Sequence, residues 1–151
     1  MTKKILIFGL PGSGKTTLSN KLAKKLGCQH LNADQVRHQF NDWDFSDAGR
    51  ERQLYRMLEL SNSISGQYVI LDFVCPLSSF RKKLSPDVIV YLDTIAESRY
   101  EDTNSIFEKP TRSENITYNF NEFNSDGQAQ LIAKDLMTFD WRKPTVQMLG
   151  R

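Results

Sequence analysis

The chain has 151 residues, of which 39% are hydrophobic and 25% are charged, and its formal net charge at pH 7 is +2. This length suffices for one well-buried core and is too short for two ordinary catalytic domains. The small net charge argues against a protein that coats nucleic acid. Two cysteines without an apolar leader or a long apolar run argue against a disulfide framework, a signal peptide and a transmembrane segment, so we expect a cytoplasmic protein with reduced thiols.

The first third of the chain alternates short apolar runs with amphipathic segments, as strand and helix units around a parallel sheet do. The apolar run 5–8 ends at a glycine and predicts a buried central strand. Leucines recur every fourth residue in 15–26 and a glycine follows, which predicts a helix that packs one leucine stripe on the sheet. We predict a short strand at 28–31 and a short helix at 33–40, followed by a loop at 41–47.

The middle of the chain predicts one helix and two strong strands. Apolar residues at helical spacing in 48–65, with Gly66 after them, predict a helix. The run 68–74 is a second buried strand, which Pro76 prevents from continuing. Residues 87–92 are rich in β-branched and aromatic side chains and predict a third strand.

The last third is less regular. Residues 95–100 have a helical pattern, whereas 101–114 is charged and poor in aliphatic residues, so we expect that segment to be a mobile lid. A last strand is predicted at 116–120 and a last helix at 128–139. The side chains of this helix predicted to face inward are Leu131, Ile132, Leu136 and Phe139. The elements together predict a three-layer α/β/α sandwich with a parallel sheet of about five strands.

The segment 9–16 matches a phosphate-binding loop, in which Gly9 and Gly14 are followed by Lys15 and Thr16. Glycines let consecutive backbone amides turn toward one centre, and the start of a helix adds positive potential. The lysine is expected to reach the β and γ phosphates of ATP, and the threonine to bind Mg²⁺. The residues predicted to hold the nucleotide are Gly9, Pro11, Gly12, Ser13, Gly14, Lys15, Thr16 and Thr17. The loop lies between a predicted strand and a predicted helix, so the chain is expected to have a P-loop NTPase fold.

Ligands of an open α/β sheet bind where the strands end. The second predicted strand is followed by Asp34 and Arg37, which places a carboxylate and a guanidinium within one helical turn beside the loop. Asp72 follows three apolar residues near the end of a later strand. Asp34 or Asp72 is expected to hold Mg²⁺ through water. The alternative interpretations are a helix N-cap for Asp34 and a hydrogen-bond acceptor at the sheet end for Asp72.

These strand ends resemble the adenylylsulfate kinase (APS kinase) family. Asp34 and Arg37 match the Asp-Gly-Asp-x-x-Arg run of that family, and Asn32 stands in the place of its first aspartate. The next segment, 44–46, is similar to its Gly-Phe-Ser element, which includes Phe45 here.

The resemblance continues through the middle of the chain. Arg50 and Gln53 are similar to the family's Arg-x-x-Asn element, with glutamine in place of asparagine. Residues 73–76 are similar to its Phe-Ile-Ser-Pro strand end, with Cys75 in place of the serine. The family's Lys-Gly-Leu-Tyr and Phe-Thr-Gly elements have no clear counterparts in 99–117.

The resemblance implies a kinase that transfers the γ-phosphate of ATP to a hydroxyl of a small molecule, with the 3′-hydroxyl of adenylylsulfate as the favoured acceptor. Lys15 and Asp34 are the predicted catalytic residues, and Asp34 would orient or deprotonate the acceptor hydroxyl. Arg99 would close over the nucleotide from the lid, and the implied cofactors are ATP and Mg²⁺. The residues expected to bind the acceptor are Arg37, Phe45, Arg50, Gln53, Val74 and Cys75.

Two other functions stay open. A kinase for a nucleoside, a sugar or a polynucleotide end would keep the phosphate loop and Asp34, and a regulatory module would bind ATP without turnover. A GTPase is disfavoured because the sequence lacks an Asn/Thr-Lys-x-Asp guanine-specificity motif. We expect a small-molecule acceptor as partner, no nucleic acid and no membrane, and a homodimer stays open.

Residues 1–143 are assigned to the P-loop kinase domain. In the remainder, 144–151, the run after Pro144 begins to look like another strand leading into a turn. It is either a frayed tail or edge strand, which is common at termini, or the start of a further domain, because it resembles the opening strand of nucleotidyltransferase domains.

Overall fold

A computed structural model of the chain describes residues 1–138. Its strands are β1 (Lys3–Phe8), β2 (Gln29–Asn32), β3 (Tyr68–Asp72), β4 (Val88–Leu92) and β5 (Tyr118–Phe120). Its helices are α1 (Lys15–Leu26), α2 (Ala33–Phe40), α3 (Asp47–Ser63), α4 (Ser78–Leu84), α5 (Glu101–Ile106) and α6 (Ser125–Thr138). A 3-10 turn covers Arg112–Glu114. The five strands pair in parallel in the order β2-β3-β1-β4-β5, as the predicted fold class requires.

The central strand β1 is buried on both faces, which explains its uninterrupted hydrophobic sequence. Ile5 and Ile7 pack into a cluster with side chains of α1 and α6. Leu6 and Phe8 point to the other face and pack with side chains of α2, α3 and α4. All four are 0% exposed. Helices therefore cover both faces of the sheet, and the three-layer prediction is confirmed.

Helix α1 follows its leucine pattern. Leu18 and Leu22 are fully buried, and Leu26 packs against the same cluster. The helix ends at Gly27, whose φ of 62° is left-handed and whose amide donates to the carbonyl of Ala23. A left-handed residue at this position is why glycine ends the helix.

The side chains of the last helix, α6, that face inward differ in part from the predicted ones. Ile132 and Leu136 are buried as predicted, but Leu131 is 44% exposed, so its predicted inward position is wrong. Ala129 and Ala133 fill that side instead, because their small side chains let α6 approach α1 closely. Phe139 and the tail 144–151 lie outside the described residues.

One local prediction is wrong, and one helix was not predicted. Residues 95–100 are not helical, because Asn104 makes three hydrogen bonds with Ser98, to its amide, hydroxyl and carbonyl, and these hold the segment as an irregular loop. Helix α5 follows it, inside the segment expected to be a lid. The sequence also gave no sign of α4, since that helix has seven residues and places a charged side chain on its buried side.

That charged side chain is Arg81, which is 2% exposed. Its guanidinium donates to both carboxylate oxygens of Glu114, at 2.6 and 3.2 Å, and to the carbonyls of Cys75 and Glu108, at 2.8 and 2.9 Å. It also lies 4.6 Å from the centre of the Phe8 ring. Arg81 thereby ties the loop after β3 to the segment after α5, whose Phe107 and Ile116 pack against the core cluster on this face of the sheet.

Replacing Arg81 with methionine is expected to lower the free energy of unfolding by about 3 kcal/mol or more, because it leaves the Glu114 carboxylate and two carbonyls without their donor in a buried place. Urea denaturation measures the change. The control is Lys82→Met, which removes the same charge from an exposed position of the same helix. Equal stability of the two variants would contradict the role given to Arg81.

Candidate active site

The phosphate loop connects β1 to α1 and lies at the floor of a cleft of about 1300 Å³. Gly12 and Gly14 have φ values of 85° and 99°, which side chains rarely adopt. A Cβ at Gly9 would lie 2.7 Å from the carbonyl oxygen of Leu92, so no larger residue fits between the loop and β4. The residues of the loop that line the cleft are Pro11, Gly12, Ser13, Gly14, Lys15, Thr16 and Thr17. The structure thus brings the predicted nucleotide-binding residues together, with Gly9 beneath them.

Asp72 is buried at the carboxyl end of β3 and accepts several hydrogen bonds. Its Oδ2 accepts from the hydroxyl of Thr16 at 2.8 Å and from the amide of Asn32 at 2.9 Å. His30 Nε2 lies 3.1 Å from the same oxygen, and His30 Nδ1 lies 3.1 Å from the side-chain oxygen of Asn20. The sequence indicated no role for His30, because no metal-ligand partner lies at a useful spacing from it; its partner Asp72 lies on another strand.

The residues around Asp72 suit Mg²⁺ by their chemistry. A hydroxyl from Thr16 and a carboxylate from Asp72 are the hard oxygen ligands that this ion prefers, and it commonly combines one or two carboxylates with substrate phosphates. Residues 1–138 contain no group of three or more His, Cys, Asp or Glu side chains that could hold a metal ion. A Mg²⁺ here would therefore depend on phosphate oxygens as well as on these two side chains.

Lys15 is nearly buried at the start of α1, and its Nζ donates to the carbonyl of Leu10 at 3.1 Å. Burial lowers the pKa of this lysine below its usual value, and the nearby carboxylates of Asp72 and Asp34 oppose the shift. A cation with few protein ligands at the floor of the cleft is suited to bind phosphate oxygens.

Asp34 lies in the first turn of α2 and is exposed in the same cleft. The N-cap of this helix is Asn32, whose side-chain oxygen accepts from the amide of Gln35 at 2.9 Å. Asp34 is therefore not the N-cap, and its carboxylate is left to face the cleft. Asn32, which breaks the family pattern, takes the capping role.

One end of the cleft lining is built around the ring of Phe45. The guanidinium carbon of Arg37 lies 4.3 Å from the ring centre, and that of Arg50 lies 5.5 Å from it. Arg37 also donates to the carbonyls of Asp42 and Asp44, at 3.0 and 3.2 Å. These three predicted acceptor residues lie together, and the arginines also hold the local backbone.

Two predicted acceptor residues do not reach the cleft. Gln53 is 0% exposed and donates to the carbonyl of Ala33 at 2.8 Å, so it ties α3 to the start of α2. Cys75 is also 0% exposed, and its backbone is left-handed with a φ of 45°. Val74, by contrast, lines the cleft. The structure thus does not support acceptor contacts by the side chains of Gln53 and Cys75.

The segment before α5 contributes Arg99, whose guanidinium donates to the hydroxyl of Tyr100 at 3.1 Å. Both residues line the cleft, as do Asp102 and the 65% exposed Phe123. The ring of Phe123 lies 3.4 Å from the position of a Cβ on Gly14. Sequence reasoning missed Asp102 and Phe123, and the only available signal was an aromatic residue in a polar loop.

No helix within residues 1–138 is long and apolar enough to cross a membrane.

Cys28 and Cys75 are both free thiols.

Replacing Lys15 with alanine is expected to abolish ATP binding or turnover, because no other side-chain cation of the phosphate loop reaches the β and γ phosphates. Isothermal titration with ATP measures the loss. Lys24→Ala, an exposed change on the same helix, is the matched control. Unchanged affinity and turnover in the Lys15 variant would show that the phosphates bind elsewhere.

No phosphorylated intermediate is expected on Cys75. Burial raises the pKa of this thiol far above its ordinary value, so it stays protonated and is a poor nucleophile. Intact-protein mass spectrometry during turnover with ATP is expected to show no phosphate adduct at this position. A phosphate adduct on Cys75 would contradict this account.

Alkylation of the folded protein by iodoacetamide is expected to modify Cys28 before Cys75, because burial raises the pKa of Cys28 only to about 11.

Comparisons with known proteins bear on the fold of the chain. The model of a family described as an AAA domain matches residues 5–75. Curated protein sequences yield no match to the chain. The chain is similar in structure to the APS kinase CysC of Mycobacterium tuberculosis in complex with AMPPNP and APS, with a TM-score of 0.75, 23% identity, and coverage of 90% of this chain and 98% of that one.

Two further solved structures are similar over most of their length. Kti12 of Chaetomium thermophilum in complex with ADP-AlF3 has a TM-score of 0.67 and 16% identity, with coverage of 89% of this chain and 97% of that one. Shikimate kinase of Acinetobacter baumannii in complex with shikimate has a TM-score of 0.61 and 18% identity, with coverage of 94% and 97%. The chain therefore has the α/β fold of the P-loop kinases.

Proposed function

We propose that this protein is an ATP-dependent kinase that phosphorylates a hydroxyl of a small molecule, with adenylylsulfate as the favoured acceptor. The proposal rests on one observation, which is the set of residues that line a single cleft. The phosphate loop, the pair of Thr16 and Asp72, and the carboxylate of Asp34 line one part of it, and Arg37 and Phe45 line another. A phosphate donor and a second ligand can therefore meet beside Asp34.

Phosphoryl transfer needs positioning and charge stabilisation more than covalent help. The loop amides and Lys15 would bind the β and γ phosphates at the floor of the cleft. Mg²⁺, when bound, would neutralise charge on the same phosphates. Asp34 would accept the proton of the acceptor hydroxyl as its oxygen bonds to the γ-phosphorus, while the bond from that phosphorus to the bridging oxygen breaks and ADP leaves.

The acceptor end supports a ligand with both a ring and an anion. Phe45 and Trp43 are about half exposed there, and aromatic side chains stack on rings of this kind. Guanidinium groups bind the oxygens of sulfate and phosphate through paired, charge-assisted hydrogen bonds. Adenylylsulfate has an adenine ring and a phosphosulfate anion, and the resemblance of Asp34, Arg37 and Arg50 to the APS kinase pattern favours it over other acceptors.

The proposal is tested by incubating the protein with ATP, Mg²⁺ and a panel of acceptors, and measuring ADP. ADP formation above the rate without acceptor is expected for adenylylsulfate. The same result with a nucleoside, a sugar or a polynucleotide end would keep the kinase and change the acceptor. ATP binding without ADP formation on any acceptor would support a regulatory module instead.

Replacing Asp34 with asparagine is expected to leave ATP binding nearly unchanged and to lower the rate of phosphoryl transfer on the order of a hundredfold or more, the usual effect of losing a positioned base. Single-turnover kinetics measures the rate. Asp47→Asn changes an exposed aspartate in the first turn of α3 and is the control. A wild-type rate in a folded Asp34 variant would remove this residue from the reaction.

A further inference from the structure

The guanidinium of Arg50 is already bound on several sides. Its Nε donates to the carbonyl of Phe45 at 2.8 Å, and its Nη2 donates to the carboxylate of Asp102 at 3.1 Å, with the hydroxyl of Thr103 at 3.5 Å. Its side chain is 10% exposed. Arg50 therefore has little room for a further anion unless one of these partners leaves.

Asp102 is the partner best placed to leave. Its side chain is 65% exposed, and it lies on α5, a helix of six residues in a segment that lines the cleft. The carbonyl of Phe45, in contrast, belongs to the backbone that leads into α3. Leaving the guanidinium costs little for an exposed carboxylate, because water replaces the lost hydrogen bond.

Arg37 donates its hydrogen bonds to uncharged groups, whereas Arg50 donates one to a carboxylate. Arg37 donates to backbone carbonyls, which carry no formal charge, and it lines the same cleft near the same ring. Its positive charge thus differs from that of Arg50, which a carboxylate offsets at hydrogen-bond distance. Arg37 is itself buried and the Asp42 carboxylate acts on its charge from nearby, so the two arginines differ in that a carboxylate accepts a hydrogen bond from the guanidinium of Arg50.

We infer that Asp102 is a specificity-determining residue of the acceptor site. Its carboxylate occupies the side of the Arg50 guanidinium that would bind an anion, so an anionic acceptor competes with Asp102 for Arg50. The inference rests on the proposed function, because it takes this end of the cleft as the acceptor site. Neutral ligands of the same end do not have to displace the carboxylate. Asp102 accordingly weakens the binding of anions and leaves the binding of neutral ligands unchanged.

The experiment measures ligand binding to the protein saturated with ADP and Mg²⁺, so that the phosphate loop is filled. Two anionic probes, adenylylsulfate and inorganic sulfate, and one neutral probe, adenosine, are titrated calorimetrically. Asp102→Asn keeps the shape of the side chain and removes its charge. It is expected to tighten the binding of both anionic probes by about twofold to fivefold, the scale of an exposed ion pair, with adenosine unchanged.

Two control variants separate competition at Arg50 from general charge effects. Glu101→Gln removes the same charge from the adjacent residue of α5, which does not line the cleft, and is expected to leave all three affinities unchanged. Asp102→Glu keeps the charge and is expected to bind anions as weakly as the wild type. The inference is overturned if Asp102→Asn matches Glu101→Gln, if it weakens anion binding, or if no variant binds either anion.

The outcomes distinguish this inference from the proposed function. Tighter sulfate binding in Asp102→Asn, without phosphorylation of adenylylsulfate, would support competition at Arg50 and reject the proposed acceptor. Phosphorylation of adenylylsulfate by the wild type, with equal anion affinities in Asp102→Asn and Glu101→Gln, would support the kinase and reject the role of Asp102.

Discussion

The burial of the Asp72 carboxylate is the constraint on which the rest of the site depends. An ionised carboxylate away from water needs hydrogen-bond donors, and here they come from different elements of the fold. Thr16 donates from α1, and Asn32 donates from the end of β2, where His30 also approaches. Satisfying one oxygen therefore fixes the start of the phosphate-loop helix against two neighbouring strands.

That arrangement positions the remaining groups of the cleft. With Asn32 donating to Asp72 and capping α2, that helix begins directly after β2, and Asp34 lies in its first turn. Lys15 starts α1 on the other side. Both groups proposed to act on the substrates are close in sequence to a donor of Asp72, because Lys15 precedes Thr16 and Asp34 comes two residues after Asn32.

The parts of the molecule that sequence predicts well are those with one dominant physical signal. Continuous apolar strands and a leucine stripe gave the central sheet and α1, and the glycine spacing gave the phosphate loop. The sequence-based prediction failed where a buried charged side chain joins two segments by hydrogen bonds. Arg81 reads as a surface residue, yet it lies under the segment after α5 and pairs with Glu114, more than thirty residues away, which no local pattern reveals.

The candidate site shows the same limit. Asp34 was predicted as a cleft residue from its place after a strand. That Asn32 is the N-cap of α2 is visible only in the structure. Gln53 and Cys75 stand at positions of the family pattern with other residue types than the family has, and their burial away from the cleft is a property of tertiary packing. The pairing of Arg50 with Asp102 joins positions from α3 and α5 that are 52 residues apart, so no local sequence pattern predicts it.

The central claim is that the γ-phosphate of ATP moves to a hydroxyl of a ligand bound at the Phe45 end of the cleft. Phosphorus NMR of a reaction containing ATP, Mg²⁺ and adenylylsulfate follows that phosphate directly. The account predicts a new phosphomonoester signal on the acceptor, rising as the γ-phosphate signal of ATP falls. Release of the phosphate only as inorganic phosphate, with each hydroxyl acceptor tested, would contradict it.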